Sequence, residues 1–209
     1  MPDNATTWKL IHSEREALAN TLEGLASEQW AEPSLCAGWS VQLAAGHVLA
    51  GAEQTPVAFA TSLITSGLRF NTMVDRDARR LGALAPKEII ERLRARTTTT
   101  NHPPGPVSAM LGEIVVHGED IRRPLGVHAK IATDAVVGCL EMYKSANFPV
   151  GTKKRIAGLR LSATDVDWSH GAGPDVSGSA LSILMVMTGR GIAIDELSGE
   201  GAAILRTRL

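Results

Sequence analysis

Residues 112–123 read GEIVVHGEDIRR, with Glu113 four positions before His117 and Asp120 three after it. On a helix, residues three or four apart face the same way. Glu113, His117 and Asp120 therefore share one polar stripe, and Leu111, Ile114, Val115 and Ile121 point away from it toward a core. A carboxylate and an imidazole on a core-seeking helix are costly unless they reach water or a common partner. A divalent cation suits both, but it needs a further donor from elsewhere in the chain. His47 is the candidate, because it sits in the middle of SVQLAAGHVLAGAEQ (40–54), a helix apolar on most of its sides. His47, Glu113 and His117 are thus the candidate metal ligands, for zinc or another divalent ion.

Blander readings stand beside this one. A single histidine on a buried helix can be satisfied by a backbone carbonyl or a buried water. Asp120 can pair with an arginine such as Arg123. Met110 and Val116 read as core, His12 as a surface or boundary residue, and Cys36 and Cys139 as structural.

The elements that must position these residues follow from periodicity. Residues 6–30 predict a helix with Trp8, Ile11, Leu18, Leu22 and Leu25 on one stripe and charges opposite. Ser40 is an N-cap candidate for the helix that carries His47. Further helices are expected over 57–70 and 85–97. The run TTTTNHPPGP (97–106) breaks the chain before the Glu113 helix, which ends near Pro124–Gly126. Another helix is expected over 133–147. Composition shifts toward glycine and serine near Phe148–Thr152, and GLRLSAT (158–164) alternates like a strand. Two helices follow, around 178–188 and 199–208. The fold class is therefore mostly α, with a helical bundle over 1–150 and a small α+β module over 151–209.

Composition excludes several function classes. The chain has 209 residues, 44% apolar and 21% charged, with net charge −1, so it offers no broad cationic surface to a nucleic acid. Arg outnumbers Lys, as in GC-rich genomes. Two cysteines without a C-x-x-C pair argue against a disulfide framework. The N-terminus lacks the apolar segment of a secretory signal, and ALSILMVM (180–187) is too short to span a bilayer. The expected compartment is a reducing cytoplasm, with no membrane or nucleic-acid partner and a monomer or homodimer as the assembly. There is no G-x-S-x-G elbow, P-loop or H-E-x-x-H.

Three stretches taken together carry a resemblance. WAEPSLCAGWSVQLAAGH, GEIVVHGEDIRRPLG and GLRLSATDVDWSHGAGPDVSGSALSILMVMTGR resemble, in that order, the mycothiol-dependent maleylpyruvate isomerase family. That family is a branch of the DinB-like four-helix bundles with a C-terminal module akin to sterol carrier proteins. The resemblance implies zinc held by His47, Glu113 and His117, a water completing the site, and mycothiol as the thiol cosubstrate. It implies a catalytic arginine at Arg190, and an actinobacterial thiol-utilising enzyme, an isomerase or S-transferase, acting on a small electrophilic substrate. The segment usually reading WTVRD is WSVQL here, with Gln42 and Leu43 in place of Arg and Asp. The alternative is a non-enzymatic regulatory module of the same fold that binds a metal or small ligand.

Overall fold

The computed structural model describes residues 3–209, which form two compact units, 3–130 and 131–209.

In the first unit, α1 (Asn4–Glu23) is started by Asp3, whose carboxylate accepts from Thr6 N–H at 2.7 Å. Its apolar stripe is buried at Ile11, Leu18 and Leu22. A 3-10 turn (Ser27–Trp30) and a loop lead to α2 (Val41–Glu53), where the Ser40 hydroxyl accepts from Leu43 N–H at 3.3 Å. Next come α3 (Pro56–Thr65), α4 (Phe70–Gly82), α5 (Pro86–Arg94) and α6 (Val107–Arg122). Helices α1, α5, α2 and α6 each pack on the next and close into a four-helix bundle, with α4 lying against α2. Gly46 of α2 makes that last contact possible: a Cβ there would come within 2.7 Å of Gly82 Cα.

The sequence pattern suggests one helix over 57–70, but α3 ends at Thr65 and α4, which the pattern does not suggest, begins at Phe70. Gly67 and Leu68 both adopt positive φ, 64° and 61°, which ends α3 and lets α4 start afresh. The short basic run DARR (77–80) falls at the end of α4, with Arg79 and Arg80 exposed in its last turn. The run's first residue, Asp77, is largely buried and accepts from Ser62 Oγ at 2.6 Å. The charges of α1 are not all opposite its apolar stripe either, since Glu14 and Arg15 are buried.

The second unit begins earlier than the composition shift suggests. Helix α7 (Thr133–Tyr143) packs on α9 (Ala180–Met187), burying Ala135, Cys139 and Leu140. It therefore belongs with the α+β module, and the division falls at 130–131, not near 150. After the short α8 (Thr152–Arg155) come β1 (Arg160–Ala163), β2 (Ser169–Gly171) and β3 (Asp175–Gly178), in the sheet order β2-β1-β3. β1 pairs antiparallel with β2 (Leu161↔His170) and parallel with β3 (Leu161↔Val176). Leu161 and Val176 are fully buried, and α9 packs on both strands. α10 (Glu200–Arg206) closes the unit against β3. The fold is mostly α with a small α+β module. Among the described residues no helix is long and apolar enough to cross a membrane.

Candidate metal centre

Helices α2 and α6 pack side by side, and their polar residues meet. Nε2 of His47 lies against Oε1 of Glu113, and Nε2 of His117 is 3.7 Å from that same oxygen. The two imidazoles meet edge to face, with centroids 4.6 Å apart. One donor atom from each of the three residues falls within 4.8 Å of the other two. Gly51 of α2 sits opposite Glu113, where an added Cβ would make ordinary van der Waals contact, 3.8 Å from Glu113 Cγ. The side chains of His47 and His117 are 13% and 17% exposed and that of Glu113 is 31%, so the cluster is sheltered yet reachable.

Around this cluster lies a second layer of contacts. Asp120, without solvent exposure, places Oδ2 2.8 Å from His117 Nδ1. A carboxylate at that position holds the proton on Nδ1 and leaves the Nε2 lone pair facing Glu113 and His47. Arg123 donates to Glu119 at 3.0 Å. Asp120 also accepts from Cys36 Sγ at 3.1 Å, and its main-chain carbonyl accepts from Leu35 N–H at 3.0 Å. The Trp39 ring stacks obliquely on His47, centroids 5.2 Å apart, and its indole N–H donates to Asp75 at 3.3 Å. The Arg79 side chain bonded to Asp75 holds that carboxyl below the usual carboxylate range, with a smaller contribution from Trp39.

The residues where the chain departs from the usual WTVRD pattern have structural roles. Gln42 donates its amide to Gly82 O at 2.8 Å and Leu84 O at 3.0 Å, satisfying carbonyls at the end of α4. Leu43 packs against Gly82. Both therefore fix α2, and with it His47, against α4.

The three candidate ligands are brought together. Cys36, read from sequence as structural, stands beside them; the signal for it was only its place in a short loop before a capped helix. Cys139 is in the core of the other unit. His12 is half-buried and bonded to the Thr99 carbonyl at 3.2 Å, next to the Trp8 ring.

Arg190 belongs to the second unit. It follows a Schellman turn that ends α9, in which Gly189 N–H bonds Val186 O and Arg190 N–H bonds Met185 O. Gly189 takes φ 96°, and a Cβ there would press to 3.2 Å from the Arg155 guanidinium. Gly189 thus supplies the positive φ that this turn uses, and the Arg190 side chain donates to Thr188 O at 2.8 Å. Burial, and then the neighbouring charge of Arg190, lower the pKa of Arg155.

A groove of about 550 Å³ lies elsewhere on the bundle, lined in part by Leu22, Trp30, Gln42 and Ile90. Its charged residues pair among themselves, Arg94 with Glu23 and Lys87 with Glu91, and it holds no imidazole.

The donor chemistry of the α2–α6 cluster, two imidazole nitrogens and a carboxylate oxygen, fits a zinc-type divalent ion with a position left open.

Two crystal structures match nearly the whole chain: the mycothiol-dependent maleylpyruvate isomerase and a histidine-to-alanine variant of it. Their TM-scores are 0.66 and 0.65, with 15% identity and coverage of 96% of this chain and 94% of that one in each case. No curated protein matches the chain. The profile of the mycothiol maleylpyruvate isomerase N-terminal domain matches residues 11–122, more than half of the chain and the whole stretch that carries the three candidate ligands, and the chain belongs to that family.

Proposed function

We propose that the protein is a metal-dependent, thiol-utilising enzyme, with His47, Glu113 and His117 holding one zinc-type ion and mycothiol as the thiol. The observation that carries this reading is the convergence of His47 Nε2 and His117 Nε2 on one carboxylate oxygen of Glu113. A divalent ion there supplies Lewis acidity that keeps a thiol ionised near neutral pH. Glu113 contributes a single negative charge and the imidazoles none, so the loaded site retains net positive charge for an anionic sulfur. Asp120 holds the Nδ1 proton of His117, and the Trp39 ring shields one side of His47 from water.

A thiolate delivered to this site adds to an activated alkene. The former double bond rotates as a single bond, and elimination returns the thiol and the geometric isomer. The same thiolate displacing a leaving group yields an S-conjugate. Isomerisation is the favoured outcome, because the matching crystal structures are of a maleylpyruvate isomerase. Arg190 is assigned to recognition of an anionic group on substrate or thiol, which a guanidinium can bind in bidentate fashion.

Purified full-length protein should carry about one zinc per chain and isomerise maleylpyruvate only when mycothiol is added. His117→Ala should lose both metal and turnover, while His12→Ala keeps both. Arg190→Ala should keep the metal and lose turnover. Equal zinc in the His117 and His12 variants would refute the ligand assignment. Conjugation of an electrophile without isomerisation would reassign the enzyme as an S-transferase.

A further inference from the structure

Behind the His117 ring lies a second set of donors. Cys36 Sγ is 3.4 Å from His117 Nδ1 and 3.1 Å from Asp120 Oδ2, and that oxygen is 2.8 Å from Nδ1. All three donor atoms lie within 4.8 Å of one another. Asp120 is fully buried, and Cys36 and His117 are half-buried. The thiol is not on a loose loop. Leu35 N–H donates to the Asp120 carbonyl, Cys36 N–H to Ser34 Oγ at 3.2 Å, and Trp39 N–H to Cys36 O at 2.9 Å.

Thiolate, imidazole and carboxylate together form a donor set for zinc and softer cations. A tetrahedral ion separates such ligand atoms by about 3.4–3.6 Å. Replacing the hydrogen bonds of this cluster by an ion therefore requires it to open by roughly half an ångström at most of its edges.

We propose that Cys36, His117 and Asp120 form a second cation site, selective for thiophilic divalent ions, that competes with the His47–Glu113–His117 set for their shared imidazole. The inference rests on the reading of that first set as the metal centre. Competition follows from the ring itself, because a neutral imidazole offers one lone pair. With Nδ1–H directed at Asp120, the lone pair is on Nε2 and serves the first set. A cation on the Cys36 side takes Nδ1 instead, sends the ring proton to Nε2, and deprives the first set of one of its two histidines. The charge also differs. Thiolate plus carboxylate neutralises a divalent ion, whereas the first set leaves it positive for an incoming thiol. A soft ion captured at Cys36 therefore inactivates the enzyme instead of substituting for its metal.

Cadmium is the probe. The full-length chain, stripped with chelator, is titrated with Cd²⁺ and followed by thiolate-to-cadmium charge-transfer absorption. The band should develop in the wild type, in His47→Ala and in Cys139→Ser, and be missing from Cys36→Ser. In that last variant cadmium affinity should fall by at least about tenfold while zinc binding is kept. Circular dichroism should show each variant folded. A band that survives Cys36→Ser, or none in either the wild type or His47→Ala, overturns the proposal. In the zinc-loaded wild type, each thiolate-bound cadmium should release about one zinc. A chain holding one zinc and one thiolate-bound cadmium together would overturn the competition. A Cys36-dependent band in a chain that never binds zinc would sink the first set and leave the second site standing.

Discussion

Helix α6 carries buried or half-buried polar groups on two sides, and the two sides are built differently. Toward α2 it presents Glu113, His117 and Asp120, which meet another histidine and a thiol. Toward α1 it presents Glu119 and Arg122, with Arg122 Nε donating to Thr21 at 3.2 Å and Nη1 3.7 Å from Glu119. The α1 side is a guanidinium–carboxylate arrangement, complete in charge, which gains nothing from a cation. The α2 side is a set of lone-pair donors with an excess of acids over fixed cations. That difference, more than burial, separates a candidate metal centre from a buried ion pair. Both are costly to place in a core, but only the α2 side has a use for a divalent ion.

On the α2 side, Asp120→Asn should have the largest effect. The asparagine keeps the shape and can still accept from Nδ1–H, but it removes the charge that fixes the His117 tautomer. Zinc affinity, measured against a chelating dye, should fall by about 10–100-fold, or about 1.4–2.8 kcal/mol. Isosteric loss of a merely structural contact would shift the denaturant midpoint of the metal-free protein and spare the zinc affinity. That outcome would break the assignment of Asp120 as a positioning residue.

The opposite side of α6 should respond in the opposite sense. Arg122 has no solvent exposure, and its Nη1 and Nη2 are buried without hydrogen-bond partners. Burial lowers its pKa despite the attraction of Glu119 and Glu14. A folded-state pKa below the unfolded one means that the charged form costs stability at every pH below both values. Glu119 retains Arg123 when Arg122 is removed. Arg122→Met should therefore be no less stable than the wild type, and up to about 1 kcal/mol more stable, with zinc content unchanged. A loss of stability larger than that, read by urea denaturation, would show Arg122 to be a stabilising element.

The two sides were unequally legible in the sequence. The α2 side was readable because positions 113, 117 and 120 share a helical stripe and because His47 stands alone in an apolar helix. The α1 side was not, because Glu14 and Arg15 of α1 fall where the pattern assigns charges to solvent, and burial of a charge leaves no periodic mark. Cys36 was missed for a related reason: a loop has no period, and its approach to His117 depends on the Leu35–Asp120 bond. Helix α4 was hidden by the absence of a proline or a side-chain cap at its start, and by a left-handed leucine that no propensity anticipates. The unit boundary was misplaced because the partner that α7 packs against is not written in its own apolar spacing.

The smallest expected effect lies at the rim of the α2 side. Asp75 accepts from Arg79 at 2.8 Å and from the Trp39 indole, whose ring stacks on His47. Its carboxyl is held below the usual range chiefly by Arg79 and then by Trp39. A depressed carboxylate contributes stability that is present above its unfolded pKa, about 3.9, and is lost as pH falls through the lower folded value. The Asp75 side chain is 45% exposed, so water and salt screen this contribution strongly. Asp75→Asn should change the denaturation midpoint slightly at pH 7, and that difference should shrink as the pH is lowered below about 4. Zinc affinity should move by less than about threefold, since the amide still accepts from Trp39 and the indole stays over His47. A loss as large as that of Asp120→Asn would mean that Trp39, not Asp120, is what orients the imidazoles, and the division between the two sides of α6 would have to be redrawn around the loop.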